Sequence, residues 1–182
     1  MSLKREQTRA RILQAAWQLF HERGYQDTST RAIARAAGVA DGTVFSHFET
    51  KLEILKAGII VRIEDVIEQA DRRLSASTPA QRLLHYAEYL YPFYAENAEF
   101  SRELFKELLW QQDDLRPQIE AFIRKLFPKP PAERDLLYGH ILMDCYFMTL
   151  LEGLGDTEYS ASRMLDRLER KLAYFGSEDG AD

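Results

Sequence analysis

A single cysteine, Cys145, occurs in 182 residues, so no intrachain disulfide can form and the fold cannot depend on an oxidising compartment. No long hydrophobic run is present either. The longest nearly apolar stretch, Ile141–Leu151, contains Asp144 and is too short to span a bilayer, so no membrane partner is expected. The basic N-terminus leads into an apolar stretch broken by Gln14 and Gln18, with no small-residue cleavage site, which argues against an export signal and for a cytoplasmic protein. A phosphate-cradling glycine loop, a nucleophile elbow and a His-Glu-x-x-His pair are all missing, and the carboxylates are scattered as solvated charge usually is. Nothing in this points to an enzyme. His140 and Asp144 fall one turn apart with Cys145 beside them, but no second pair has ligand spacing, so no metal and no cofactor is expected.

Glycine and proline are also sparse, at nine and six residues, and they cluster in a few places. Between the clusters, apolar residues recur at three- and four-residue intervals, which reads as an all-α fold of about nine helices. The hydrophobic content of 46% is enough to bury a core without staples. The net charge of −5 argues against a protein that coats nucleic acid non-specifically, but the average hides a division. Residues 1–51 carry a net +3, from eight basic and five acidic groups, which leaves −8 for the remainder. A basic head on an acidic body suits DNA binding confined to one end. The expected domains are accordingly 1–51 and 52–182.

The first helix is expected over Glu6–Arg23, with Ile12, Ala16, Leu19 and Phe20 on one face, Gly24 as its left-handed stop, and a basic N-terminal end free to meet DNA. A short helix over Thr30–Ala37 has Ser29 as its cap, and Gly38 turns the chain into a third, Asp41–His47. Thr50-x-x-Glu53 is a capping box for a long fourth helix running to about Ser75. Thr78-Pro79 opens a fifth, which Pro92 should end or kink. Further helices are expected over Ala98–Gln112, from Pro117 to Phe127, over Ala132–Leu151 and over Glu158–Phe175, with Pro128-Lys129-Pro130-Pro131 as a clear break.

The segment Thr30–His47 meets the steric demands of two short helices crossing steeply, as in a helix-turn-helix. Ala34 is small where the helices approach, Gly38 supplies the turn, and Val44 buries the second helix, with Ile33, Val39 and Phe48 completing an apolar cluster. Thr43, Phe45, Ser46 and His47 are left outward, able to enter or flank a major groove.

Taken together, Arg11-Ile12-Leu13-Gln14-Ala15-Ala16, Leu19-Phe20, Gly24-Tyr25, Thr28-Ser29-Thr30, Ile33-Ala34, Ala37-Gly38-Val39, Gly42-Thr43, His47-Phe48 and Lys51 resemble the N-terminal signature of the tetracycline-repressor family over residues 9–55. The resemblance implies a homodimer with one helix-turn-helix per subunit, reading a near-palindromic double-stranded operator, usually as a repressor released by a small effector. It implies that Ser29 and Thr30 hold a phosphate through backbone N–H and hydroxyl groups and that Arg31 reaches a base edge, most naturally guanine. It further implies that Thr43 and His47 contact phosphate, that Gly42 permits close approach, and that Lys51 adds charge at a helix N-terminus. Phe45 departs from the tyrosine common in the family and can make only apolar contact, and Ser46 can contact base or phosphate.

Beyond residue 55 only length and helical pattern agree with the family. The body is dense in aromatics, and Tyr86, Tyr89, Phe93, Phe105, Trp110, Phe122, Met143 and Phe147 are candidates for the lining of an apolar or aromatic effector pocket; a plain helical core is the alternative. The rival function is a helical carrier or enzyme in which the head only packs.

Overall fold

A computed structural model describes residues 3–108, 115–156 and 160–176, and among these every regular element is an α-helix. The chain forms two compact units, Met1–Asp65 and Val66–Asp182, and the division falls within α4. No helix among the described residues is long and apolar enough to cross a membrane.

The first unit holds α1 (Leu3–Arg23), α2 (Thr30–Ala36), α3 (Asp41–His47) and most of α4 (Lys51–Asp71). The predicted stripe of α1 is buried, and its core partners are Ile33, Ala34, Val44, Phe48, Ile54, Leu55 and Ile59; Val39 is only half-buried. α1 stops where Gly24 takes φ +82°. The buried Thr28 hydroxyl then closes the helix end, lying 2.8 Å from the Gly24 carbonyl and 3.2 Å from that of Leu19. α2 opens on Ser29, whose Oγ accepts the Ala32 N–H at 3.1 Å. It closes in a Schellman motif: Gly38 has φ +63°, its N–H donates to Arg35, and the Val39 N–H donates to Ala34. A Cβ on Gly38 would meet nothing within 4 Å, so glycine is required there for its backbone angle and not for space. At α4, Thr50 Oγ1 accepts the Glu53 N–H at 3.1 Å, and Glu53 reaches back to the Glu49 N–H at 2.7 Å, one residue beyond the usual box.

The second unit contains the end of α4 with α5 (Pro79–Glu96), α6 (Ala98–Leu108), α7 (Arg116–Lys125), α8 (Glu133–Gly155) and α9 (Ala161–Gly176). Helix α8 packs against all four of the other body helices, α5, α6, α7 and α9. Two of its glycines allow this approach. A Cβ at Gly139 would lie 2.5 Å from Ile123 Cγ2 on α7, and one at Gly153 would run into Met164 Sδ on α9. Thr78 caps α5 as expected, and with Gln81 it also forms a capping box.

Two expectations need correction. α4 ends at Asp71 and not near Ser75, with tight turns from Arg73 N–H to Ala70 and from Leu74 N–H to Asp71. Of the two outcomes expected at Pro92, an end or a kink, the end does not occur: α5 runs on to Glu96. A proline inside a helix costs about 3 kcal/mol. On either side of it the buried rings of Tyr91 and Tyr94 each gain about 1.5–3 kcal/mol, and Asn97 Nδ2 donates to the Phe93 carbonyl at 2.7 Å.

Candidate nucleic-acid interface

The outward side of the α2–α3 pair carries the residues predicted to read DNA. Ser29 is exposed at the start of α2, and Thr30, the first helical residue, is half-buried. On α3, Gly42 is exposed with open space around it, Phe45 is 53% exposed, Ser46 is exposed, and Thr43 and His47 are half-buried. Ser46 Oγ is 2.8 Å from the Thr43 carbonyl, so in this state its hydroxyl proton is donated within the helix. Val44, between them, is fully buried and fixes which way the helix faces. The structure thus brings Ser29, Thr30, Arg31, Gly42, Thr43, Phe45, Ser46 and His47 onto two adjoining short helices.

The charges around this face are already engaged. Arg31 Nε donates to Asp41 Oδ2 at 3.1 Å, bridging the two helices, with the arginine side chain 80% exposed and the aspartate 50%. Lys51 Nζ donates to the carbonyls of Tyr25 at 2.7 Å and Gln26 at 3.2 Å and lies 4.3 Å from the Tyr25 ring centroid. It therefore ties the start of α4 to the turn after α1. The basic end of α1, expected to be free, is engaged: Arg5 and Arg9 each reach a carbonyl at the end of α3, those of Ser46 and His47, at 3.5 Å, and Arg9 stacks 4.2 Å over Phe48. These are long contacts, and their main effect is electrostatic, positive charge against the negative end of the helix. Partial burial pushes the His47 imidazole below its ordinary pKa, and Arg5 and Arg9 push in the same direction, favouring the neutral ring.

The aromatics predicted for the body fall into two groups. In the first, Tyr86 is fully buried against Phe122, ring centroids 5.1 Å apart, and Tyr89 lies 5.3 Å from His85. The Tyr86 hydroxyl donates to Asp71 Oδ1 at 2.7 Å, Lys125 Nζ donates to Asp71 Oδ2 at 2.6 Å, and Arg82 donates to the Lys125 carbonyl at 3.0 Å. Burial raises the Asp71 carboxyl pKa, but these two donors and the charges of Lys125 and Arg82 outweigh it, and the group is held below its ordinary value. In the second, Phe93, Tyr94, Phe105, Phe147 and Tyr146 follow one another edge to face, and Tyr91 stacks on Tyr146 at 5.0 Å. Tyr91 donates to the Tyr146 carbonyl at 3.0 Å, and the buried Tyr146 hydroxyl faces that of Tyr94. Met143 is buried, and Trp110 lies outside the described residues. A surface hollow of about 540 Å³ sits elsewhere, lined by Glu152, Arg167, Arg170 and Lys171. Among the described residues no group of three or more His, Cys, Asp or Glu is placed to hold a metal.

Two short helices joined through a left-handed glycine, closed over Ala34 and Val44 and presenting a polar second helix, define a helix-turn-helix, the class of unit that reads DNA, in a chain whose described elements are all helical. Residues 12–57, the head, match the model of the family "Bacterial regulatory proteins, tetR family". It is 46% identical over 57 residues to the HTH-type transcriptional regulator SrpR of Pseudomonas putida, a match covering 31% of this chain and 27% of that one. The chain thus spans about a quarter of this curated relative's length. Among solved structures, a TetR transcriptional regulator from Rhodococcus sp. RHA1 superimposes with a TM-score of 0.75 at 16% identity, covering 97% of this chain and 98% of that one. Thermus thermophilus FadR, a TetR-family transcriptional repressor in complex with lauroyl-CoA, does so with a TM-score of 0.58 at 25% identity, covering 91% and 93%.

Proposed function

We propose that the chain is a homodimeric, sequence-specific transcription regulator whose head reads a near-palindromic operator and whose body binds a small apolar or aromatic effector. The observation that carries this reading is the exposed face of α3. Gly42, Thr43, Phe45, Ser46 and His47 stand outward on a helix that Val44 and Phe48 lock into a closed core. In this reading, backbone N–H groups at the start of α2, with Ser29 and Thr30, take one phosphate, Thr43 and His47 take another, Arg31 reads a guanine, and Phe45 meets a thymine methyl. Lys51 contributes charge near the backbone while holding the Tyr25 turn. The dimer sets the two recognition helices about one DNA turn, roughly 34 Å, apart.

For the effector, support comes from the run of aromatic rings Tyr94–Phe105–Phe147–Tyr146 and from FadR, solved in complex with lauroyl-CoA, a ligand with an apolar chain. Gel shift on DNA flanking the chain's own gene, repeated with hydrophobic and acyl compounds, is the test. Salt-sensitive retardation of one fragment, relieved by a compound that also raises the melting temperature, is the expected result. No retarded fragment, together with turnover of a small molecule, would favour the carrier or enzyme reading.

A further inference from the structure

On the reading just given, one exposed carboxylate stands where phosphates would approach. Asp41 is the first residue of α3, half-exposed, and it holds Arg31 across the helix pair. An acidic group on a DNA-reading face opposes binding to any duplex, so it needs a compensating role.

The atom it holds supplies one. The hydrogen bond runs from Nε, the inner donor of the guanidinium, at 3.1 Å. That geometry leaves the two terminal amino groups at the outer end of a side chain that is 80% exposed. Those two groups form one of the forked edges by which an arginine donates to the O6 and N7 of a guanine. A long side chain with one donor fixed has fewer rotamers to lose when it docks, so the carboxylate orients the fork before DNA arrives. The same charge draws the guanidinium away from neighbouring phosphates, which would otherwise capture it on any sequence.

We infer that Asp41 is a positioning residue for base reading: it orients Arg31 toward guanine and suppresses binding to non-specific DNA. Both effects act in the same direction on selectivity. Loss of the carboxylate frees Arg31 for phosphate and removes a repulsive charge, so non-specific affinity rises; loss of orientation weakens discrimination at the guanine position. Exposed ion pairs of this kind couple by up to about fivefold, and the removed charge adds to that, so a five- to twentyfold fall in the ratio of specific to non-specific affinity is expected.

The experiment selects preferred duplexes from a random library for the full chain. Asp41→Asn and Arg31→Ala, singly and together, are then measured on the selected duplex, on each single base-pair change and on a scrambled duplex. The expected result is that Asp41→Asn erodes preference at one G·C pair, the same pair affected by Arg31→Ala. It should also bind scrambled DNA more tightly than the wild type and leave base preference unchanged in the Arg31→Ala background. An unaltered preference at every pair would overturn the inference, as would equal erosion with and without Arg31, even if the melting temperature fell, because a purely structural loss would not single out one base pair. A wild-type chain with no sequence preference would refute the regulator reading itself, and this inference with it.

Discussion

If His47 meets a phosphate as proposed, its environment in the free protein sets how its affinity depends on pH. Burial and the nearby Arg5 and Arg9 depress its pKa in the free protein, whereas a phosphate oxygen would favour the imidazolium. DNA binding should therefore take up a proton. The gain in affinity is fully present below the free-protein pKa and is lost as pH rises through the DNA-bound value. Anisotropy titrations from pH 5 to 8 should show affinity falling with pH across this window, and His47→Gln should flatten the curve. Lys51 was legible in the sequence as a cation at a helix start, but not as the clamp of the Tyr25–Gln26 turn, because its two carbonyl partners lie 25 and 26 residues away in the chain. Lys51→Met should lower the head's stability by about 1–3 kcal/mol, the worth of hydrogen bonds from a charged donor, in a denaturant titration. An unchanged midpoint would leave the lysine to DNA alone. Arg31 was marked in the sequence as a candidate reader, while its partner Asp41 was not marked at all, since only folding brings positions 31 and 41 together.

At the scale of elements, most helix starts and the stop of α2 were read well from the sequence because they are local, whereas the end of α4 was set about four residues too late. Ser29, Gly38, Thr50 with Glu53, and Thr78 each act within a few residues of themselves. What local pattern did not reveal depended on distant packing: α5 continues past Pro92, with Tyr91 and Tyr94 buried around it, and α8 uses Gly139 and Gly153 as sites of close helix approach, which no local pattern distinguishes from ordinary helix glycines. The glycines of the head give a paired prediction. Gly38→Ala should cost about 1 kcal/mol or more, because φ +63° strains any side chain. Gly42→Ala, at an open helical position, should gain about 0.5–1 kcal/mol of stability yet weaken DNA binding by crowding the approach to the backbone. Thermal melts and gel shifts on the two variants separate these outcomes; a Gly42→Ala protein with full affinity would remove that residue from the interface. The end of α4 is held to α5 and α7 through Asp71. Because the folded carboxyl is depressed, its stabilisation is complete above the ordinary carboxylate pKa and disappears as pH falls through the folded value. Tyr86→Phe should move acid unfolding to higher pH, and Asp71→Asn should remove this contribution at neutral pH while blunting the acid dependence.

For the molecule as a whole, the division of charge between a basic head and an acidic body was available from the sequence, and the head's match to the tetR-family model accords with it. The body was less legible. Its aromatic residues follow helical spacing whether they fill a core or line a cavity, and the side chains settle into two ring clusters with mostly internal hydrogen bonds. Sequence-specific DNA binding is the central claim, and the most direct measurement is fluorescence anisotropy of the full chain on its selected duplex and on a scrambled one, from about 50 to 200 mM salt. The account predicts that both affinities fall steeply with salt while the selected duplex stays preferred by at least about 10³-fold. Equal affinity for the two duplexes at every salt concentration would contradict it.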